Sequence, residues 1–201
     1  AGKTRTAEVA IAPRDPDFSR IAGHPKWVTV FQNSPGSLPL YLKDRRTPYW
    51  FETLPDQPKT LYFQFNLVVN SPTETLQQFL DRLFKFIDDN AIDKLIIDMR
   101  WNNGGNTLLM QPLIKGLIQR TKLDQTGKLF VIVGRFTFSA AINVAASLNA
   151  NTNAILVGEP TPTGPNFIGE SNIITLPFSK LRVSISDIYW QNTLSTDSRV
   201  W

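Results

Sequence analysis

From residue 76 to residue 87 the apolar side chains fall at Leu76, Phe79, Leu80, Leu83, Phe84 and Ile87, the three-and-four spacing of one helical face. Ser71, Pro72 and Glu74 ahead of them stand where the N-cap, N1 and N3 of a capping box would be. The pattern then changes. "KLIIDMR" is a short apolar run without helical spacing, and it predicts a strand buried on both faces. From there the chain alternates: a strand over 94–100, a Gly-Gly loop, a helix over 107–120 that Pro112 would kink, a strand at 128–133, a helix over 138–149 and a strand at 154–158. Strands alternating with helices predict βαβ units, hence an α/β core of mostly parallel sheet with covering helices.

The flanks read differently. Residues 1–60 hold short extended pieces, "WVTVFQ", "SLPLYLK" and "PYWFE", broken by turns such as "NSPGS", and predict a small N-terminal β portion packed on the core. "TLYFQFNLV" is a stronger strand signal, aromatic and alternating, at the opening of a core spanning 61–201. In the tail, "SNIITLPFS" and "KLRVSISDIYW" predict two strands around a turn near Ser179 and Lys180. With 201 residues the chain suits one compact unit.

Composition narrows the function classes. The 21 basic and 17 acidic residues give a net charge of +4, but they are scattered, and the one basic doublet, Arg45-Arg46, is not the stripe that nucleic acid requires. Without cysteine there is no thiolate nucleophile, thiolate metal site or disulfide. No run approaches the roughly 20 apolar residues of a membrane-spanning helix, and "AGKTRTAEVAIAPRD" contains no export signal. Neither a cofactor nor a metal is expected, and the oligomeric state is left open.

In a doubly connected parallel sheet, ligands gather where strands end and helices begin. Two segments occupy such positions, "RWNNGGN" and "GRFTFSAA". Gly104 and Gly105 allow the backbone to approach a ligand closely, so that N–H groups converge on an oxygen gaining charge; the alternative is an ordinary tight turn. Ser139 stands at a helix start for which Thr137 is a candidate N-cap, with Ala140 and its neighbours offering N–H groups at the positive end of the helix dipole. It is either a displayed nucleophile or a residue that favours helix starts. A serine nucleophile needs a base. The one histidine, His24, cannot be placed near Ser139 from sequence, and Lys180 falls on a hairpin turn. The acidic candidates are Glu159, Glu170 and Asp197.

The order "KLIIDMRWNNGGN", "LFVIVGRFTFSAAINVAASL", "AILVGEPTPTGPN" and "LPFSKLRVSIS" resembles the catalytic core of the C-terminal processing (tail-specific) peptidases, relatives of the tricorn protease core, over about residues 60–199. The resemblance implies a Clp protease/crotonase-like fold. It also implies a peptide or protein substrate, an extracytoplasmic location, Ser139 as nucleophile, and oxyanion donors from Ala140 and from Gly104-Gly105.

The chain departs from that family at the base. In the bacterial enzymes a lysine after the Gly-Glu-x-Thr motif activates the serine, with a glutamine four residues later orienting it. Here "GEPT" is followed by "PTGPNFIGE", and no lysine lies between Ser139 and Lys180. Three alternatives stand: His24 with Asp197, as in the tricorn-like branch; a different polar site at Asn166 and Glu170, which share the spacing of the family's lysine and glutamine; or a non-peptidase relative such as the retinoid-binding proteins that resemble the same core. A crotonase-like thioester enzyme would need a basic phosphate site, which the sequence lacks. The segment between "KWVTV" and "YFQFN" is also too short for the family's PDZ-like domain.

Overall fold

A computed structural model describes residues 38–197 and residue 199. Strand β1 (Tyr49–Leu54) turns back into β2 (Gln57–Phe65), and β3 (Lys94–Asp98), β4 (Leu129–Val133) and β5 (Ile155–Gly158) follow, with helices α1 (Leu76–Asp89), α2 (Gln111–Ile118) and α3 (Ala140–Asn151) between them. The five strands form one sheet in chain order. β1 is antiparallel to β2, and β2 to β5 run parallel. Right-handed crossovers in an unbroken strand order bring every helix to the same face. That face is the core: Leu61, Phe63 and Phe65, then Leu95, Ile97 and Met99, then Leu129, Val131 and Val133 are buried with the apolar stripe of α1. Burial at this depth stabilises by about 1.5–3 kcal/mol per large side chain.

The helix-free face carries buried polar groups beside the half-buried Ile96, Phe130 and Ile132. Tyr62, Gln64, Asn66 and Asp98 are buried on it. The Tyr62 hydroxyl donates to Asp98 Oδ2 (2.7 Å), Gln64 Nε2 to Asn66 Oδ1 (3.0 Å) and Asn66 Nδ2 to the Thr47 carbonyl (2.8 Å). The 39–48 segment thus seals this side with backbone acceptors. Arg100 forks onto Asp98 and lies 4.0 Å over the Tyr41 ring.

Several sequence expectations are corrected. "KLIID" is covered unequally on its two faces: on the helix-free side Lys94 and Ile96 are half-buried and Asp98 is buried, while Leu95 and Ile97 are fully covered on the other. The capping box of α1 is made by Thr75 and Gln78, not Ser71 and Glu74; the Glu74 carbonyl accepts from the Tyr49 hydroxyl, and its carboxylate pairs with Arg82. Pro112 does not kink a helix over 107–120. Residues Thr107–Met110 form a 3-10 turn, and Pro112 lies in the first turn of α2, where its missing N–H costs nothing. "SLPLYLK" yields a 3-10 turn, Leu40–Leu42, and "WVTVFQ" lies outside the described residues.

The tail is a ribbon. β6 (Phe167–Gly169) pairs with β9 (Ile188–Trp190), and between them β7 (Asn172–Thr175) and β8 (Arg182–Ile185) form an antiparallel hairpin with Lys180 at φ 59° in its turn. "KLRVSISDIYW" is therefore two strands, not one.

Candidate active site

The loop after β3 is organised by Asn102. This side chain is fully buried; its Nδ2 donates to the Phe65 carbonyl (2.9 Å), its Oδ1 accepts from Gly104 N (3.0 Å), and its own carbonyl accepts from Phe138 N (3.1 Å). One amide therefore ties the ends of β2 and β4 to the glycine loop. Val68 N donates to the Gly104 carbonyl and Asn106 N to the Val68 carbonyl, so Val68 and Gly105 form a parallel bridge. In such a bridge the central residue's own N–H points away from the partner strand. For Gly105 that direction is the β4 side, where Phe138, Ser139 and Ala140 follow the strand.

Both glycines are required by space. A Cβ on Gly104 would lie 2.7 Å from Ser139 Cβ and 3.1 Å from Ala140 N, and one on Gly105 would lie 2.2 Å from the Val68 carbonyl oxygen. Gly104 thus lets the loop lie close against Ser139 and the Ala140 nitrogen. The backbone angles, φ 108° and 132°, are ones that residues with side chains rarely adopt.

Thr137 is not the cap of α3. It is fully buried in the turn after β4, where its hydroxyl donates to the Met99 carbonyl (2.8 Å) and accepts from Gly134 N (2.9 Å). Ser139 takes the N-cap position at φ 54° and ψ −128°, yet its hydroxyl caps no N–H of the helix. A non-glycine residue in this region costs about 1–3 kcal/mol. Strand, strained serine and helix is the arrangement that displays a nucleophilic hydroxyl. Ala141 N donates to the Phe138 carbonyl, whereas among the described residues the N–H groups of Ala140 and Gly105 have no backbone acceptor. One of these N–H groups follows Ser139 at the positive end of a 12-residue helix, and the other follows Gly104, which lies against Ser139. Of the glycine pair, Gly104 N–H is taken by Asn102.

The remaining candidates are dispersed. Asn166 Oδ1 accepts from the backbone N–H groups of Asn192 and Thr193, and its Nδ2 donates to the Leu194 carbonyl, so this side chain pins the tail loop. Asp197 is bound by Arg199 through Nε and Nη2, and that hydrogen bonding holds its carboxyl well below the usual carboxylate range. Glu159 pairs at the surface with Arg135 (3.3 Å). Glu170, at φ 54°, lines a cavity with Gly105, Asn106, Thr107, Leu108 and Trp190. His24 lies outside the described residues. Among the described residues no three His, Cys, Asp or Glu side chains cluster as metal ligands would, and no helix is long and apolar enough to cross a membrane.

Some supporting residues had no forecast role. Asn143, buried one turn along α3 from Ser139, donates to Thr107 Oγ1 (2.8 Å) and accepts from Asn192 Nδ2 (2.7 Å). It joins the glycine loop, the serine helix and the tail. Phe167 packs against Phe138 (5.7 Å between ring centroids) and brings β6 beside the serine turn.

Neither a protein-family model nor a curated protein sequence matches the chain. Solved structures similar to it include a photosystem II D1 C-terminal processing protease, 18% identical over 70% of this chain and 42% of that one, with a TM-score of 0.48. A lipoprotein from Streptococcus agalactiae is 15% identical over 72% of this chain and 62% of its own (TM-score 0.45). Mature CPAF complexed with lactacystin is 12% identical over 62% and 42% (TM-score 0.45). The chain spans less than two thirds of the length of each.

Proposed function

We propose that the protein is a serine-type peptidase on a Clp protease/crotonase-like core, acting through an acyl-enzyme on Ser139. The observation that carries this reading is the strained Ser139 backbone beside two N–H groups without backbone acceptors, those of Gly105 and Ala140. In this reading Ser139 Oγ attacks a peptide carbonyl and its proton passes to a base. The two N–H groups stabilise the tetrahedral oxyanion, the amine leaves with a proton, and water releases the acyl group. Each oxyanion donor is worth about 10²–10³ in rate.

The candidate bases make different demands. His24 with Asp197 requires that the histidine reach Ser139 and that Asp197 exchange its Arg199 partner. Asn166 is an amide without basicity, and its three hydrogen bonds favour a structural role. A second reading, a binding module for a small molecule or peptide on the same scaffold with the serine unused, is favoured by one observation: Asn166, which shares the spacing of the family's lysine, is an amide already bonded to Asn192, Thr193 and Leu194.

Incubation with a fluorophosphonate probe, read by intact mass beside Ser139→Ala, separates the two. One probe mass added to the wild type alone supports the peptidase. A folded wild type that gains no mass overturns it in favour of the binding module.

A further inference from the structure

Immediately beside Gly105 lies a cavity of about 430 Å³ walled by Gly105, Asn106, Thr107, Leu108, Glu170 and Trp190. Its chemistry is specific. Glu170 is exposed and enters no ion pair among the described residues, while the other acidic side chains nearest the sheet edge, Asp98, Glu159 and Asp197, each have an arginine. Trp190 also lines this space, and its indole lies against Gly169, where a Cβ would be 3.0 Å from the indole Cδ1. Leu108 is 83% exposed and adds an aliphatic wall.

Glu170 is one of four described non-glycine residues with positive φ, and Ser139 is another. The strain at Glu170 sits directly after the last residue of β6, where the chain leaves its pairing with β9. A carboxylate, an indole and an aliphatic surface together match a long side chain with a cationic head. The stem lies along Leu108, the charge meets the Glu170 carboxylate, and the ring attracts the same cation. A neutral side chain gains nothing from this solvated carboxylate, and an acidic one is repelled by it.

We propose that this cavity is a subsite for a lysine or arginine side chain of the peptide whose carbonyl meets the Gly105 N–H, so the protein selects basic residues next to the bond it attacks. The inference rests on the peptidase reading for what it selects, but binding can be measured without catalysis.

Ser139→Ala protein would be titrated by calorimetry with acetyl-Ala-Ala-Lys-Ala-Ala-amide and with the peptide carrying norleucine in place of lysine. The lysine peptide is expected to bind about tenfold more tightly, the combined worth of a partly exposed ion pair and a cation–π contact. Adding Glu170→Gln should bring the two peptides within about twofold, and Glu170→Lys should reverse the preference. Added salt should erode it. Equal affinities in the parent, absence of binding by either peptide, or a lysine preference that survives Glu170→Gln would overturn the subsite. Circular dichroism of each variant shows that the comparison is between folded proteins. Fluorophosphonate labelling of the wild type reports on Ser139 alone, so failure of the subsite and failure of the nucleophile are read separately.

Discussion

Two regions meet at Ser139 and are built in opposite ways. On one side, the loops after β3 and β4 are sealed by buried polar groups: Asn102, Thr137 and Asn143 are each at most 1% exposed. Asn102 and Thr137 bond to backbone and Asn143 to the side chains of Thr107 and Asn192, which fixes the glycine loop and the serine turn against the sheet. On the other side, among the described residues, the ribbon from β6 to β9 is anchored at its base by Phe167 and the Asn143–Asn192 bond. Its hairpin holds Ile173, Ile174, Phe178, Leu181 and Ile185 in solvent. The difference teaches which half of the chemistry the fold supplies by itself. In the proposed reading the oxyanion donors Gly105 and Ala140 belong to the sealed sheet edge, whereas Asn166 and Asp197, the candidates that flank the ribbon, are already bonded to Asn192, Thr193, Leu194 and Arg199.

The largest expected effect falls at the meeting point: Ser139→Ala should abolish fluorophosphonate labelling outright, while leaving the protein folded because the serine hydroxyl caps nothing. Gly104→Ala comes next. Its Cβ would collide with Ser139 Cβ, so unfolding free energy should fall by about 3 kcal/mol in denaturant titrations and labelling should be lost with it. Labelling at the wild-type rate in this variant would break the claim that the rigid side sets the chemistry.

Asn102→Ala should cost about 2–3 kcal/mol, because it strands the Gly104 N–H and the Phe65 carbonyl in the interior. It should also slow labelling in the fraction that remains folded. An unchanged rate would mean that the loop keeps its shape without its tie.

The next effect is one of pH. Burial, followed by the neighbouring Asp98 charge, pushes the Tyr62 hydroxyl well above its ordinary 10.0. Its neutral form is therefore favoured in the folded state: the stabilisation is complete below about pH 10, where the unfolded phenol is also neutral, and is lost as pH rises beyond it. Tyr62→Phe should remove that alkaline loss. At neutral pH it should be less stable than the wild type, because Asp98 loses a donor. The smallest effect belongs to the ribbon, where Phe178, 96% exposed, should tolerate replacement by serine within about 0.5 kcal/mol. A large loss there would show that the ribbon is as tightly built as the sheet edge.

What the sequence made legible follows the same division. The stripe of α1, the alternation from β3 to β5 and the two strand-to-helix loops are local signals, and periodicity or paired glycines carry them. The unequal burial of the two faces of β3 was hidden, since Ile96 and Ile97 look alike until the strand order places all helices on one face. Thr75 rather than Ser71 caps α1 because Tyr49, distant in sequence, engages Glu74 and Ser71. Asn102 did have a visible signal, an Asx residue two positions before a glycine, which favours a side-chain bond to that N–H. Asn143, Asn192 and Trp190 had none, because their partners come from segments far apart in the chain.

The most direct measurement is a crystal structure of the phosphonylated protein. The account predicts a phosphonyl oxygen about 2.7–3.1 Å from both Gly105 N and Ala140 N. An adduct on Ser139 whose oxygens avoid these two groups, or a folded protein that forms no adduct, would contradict it.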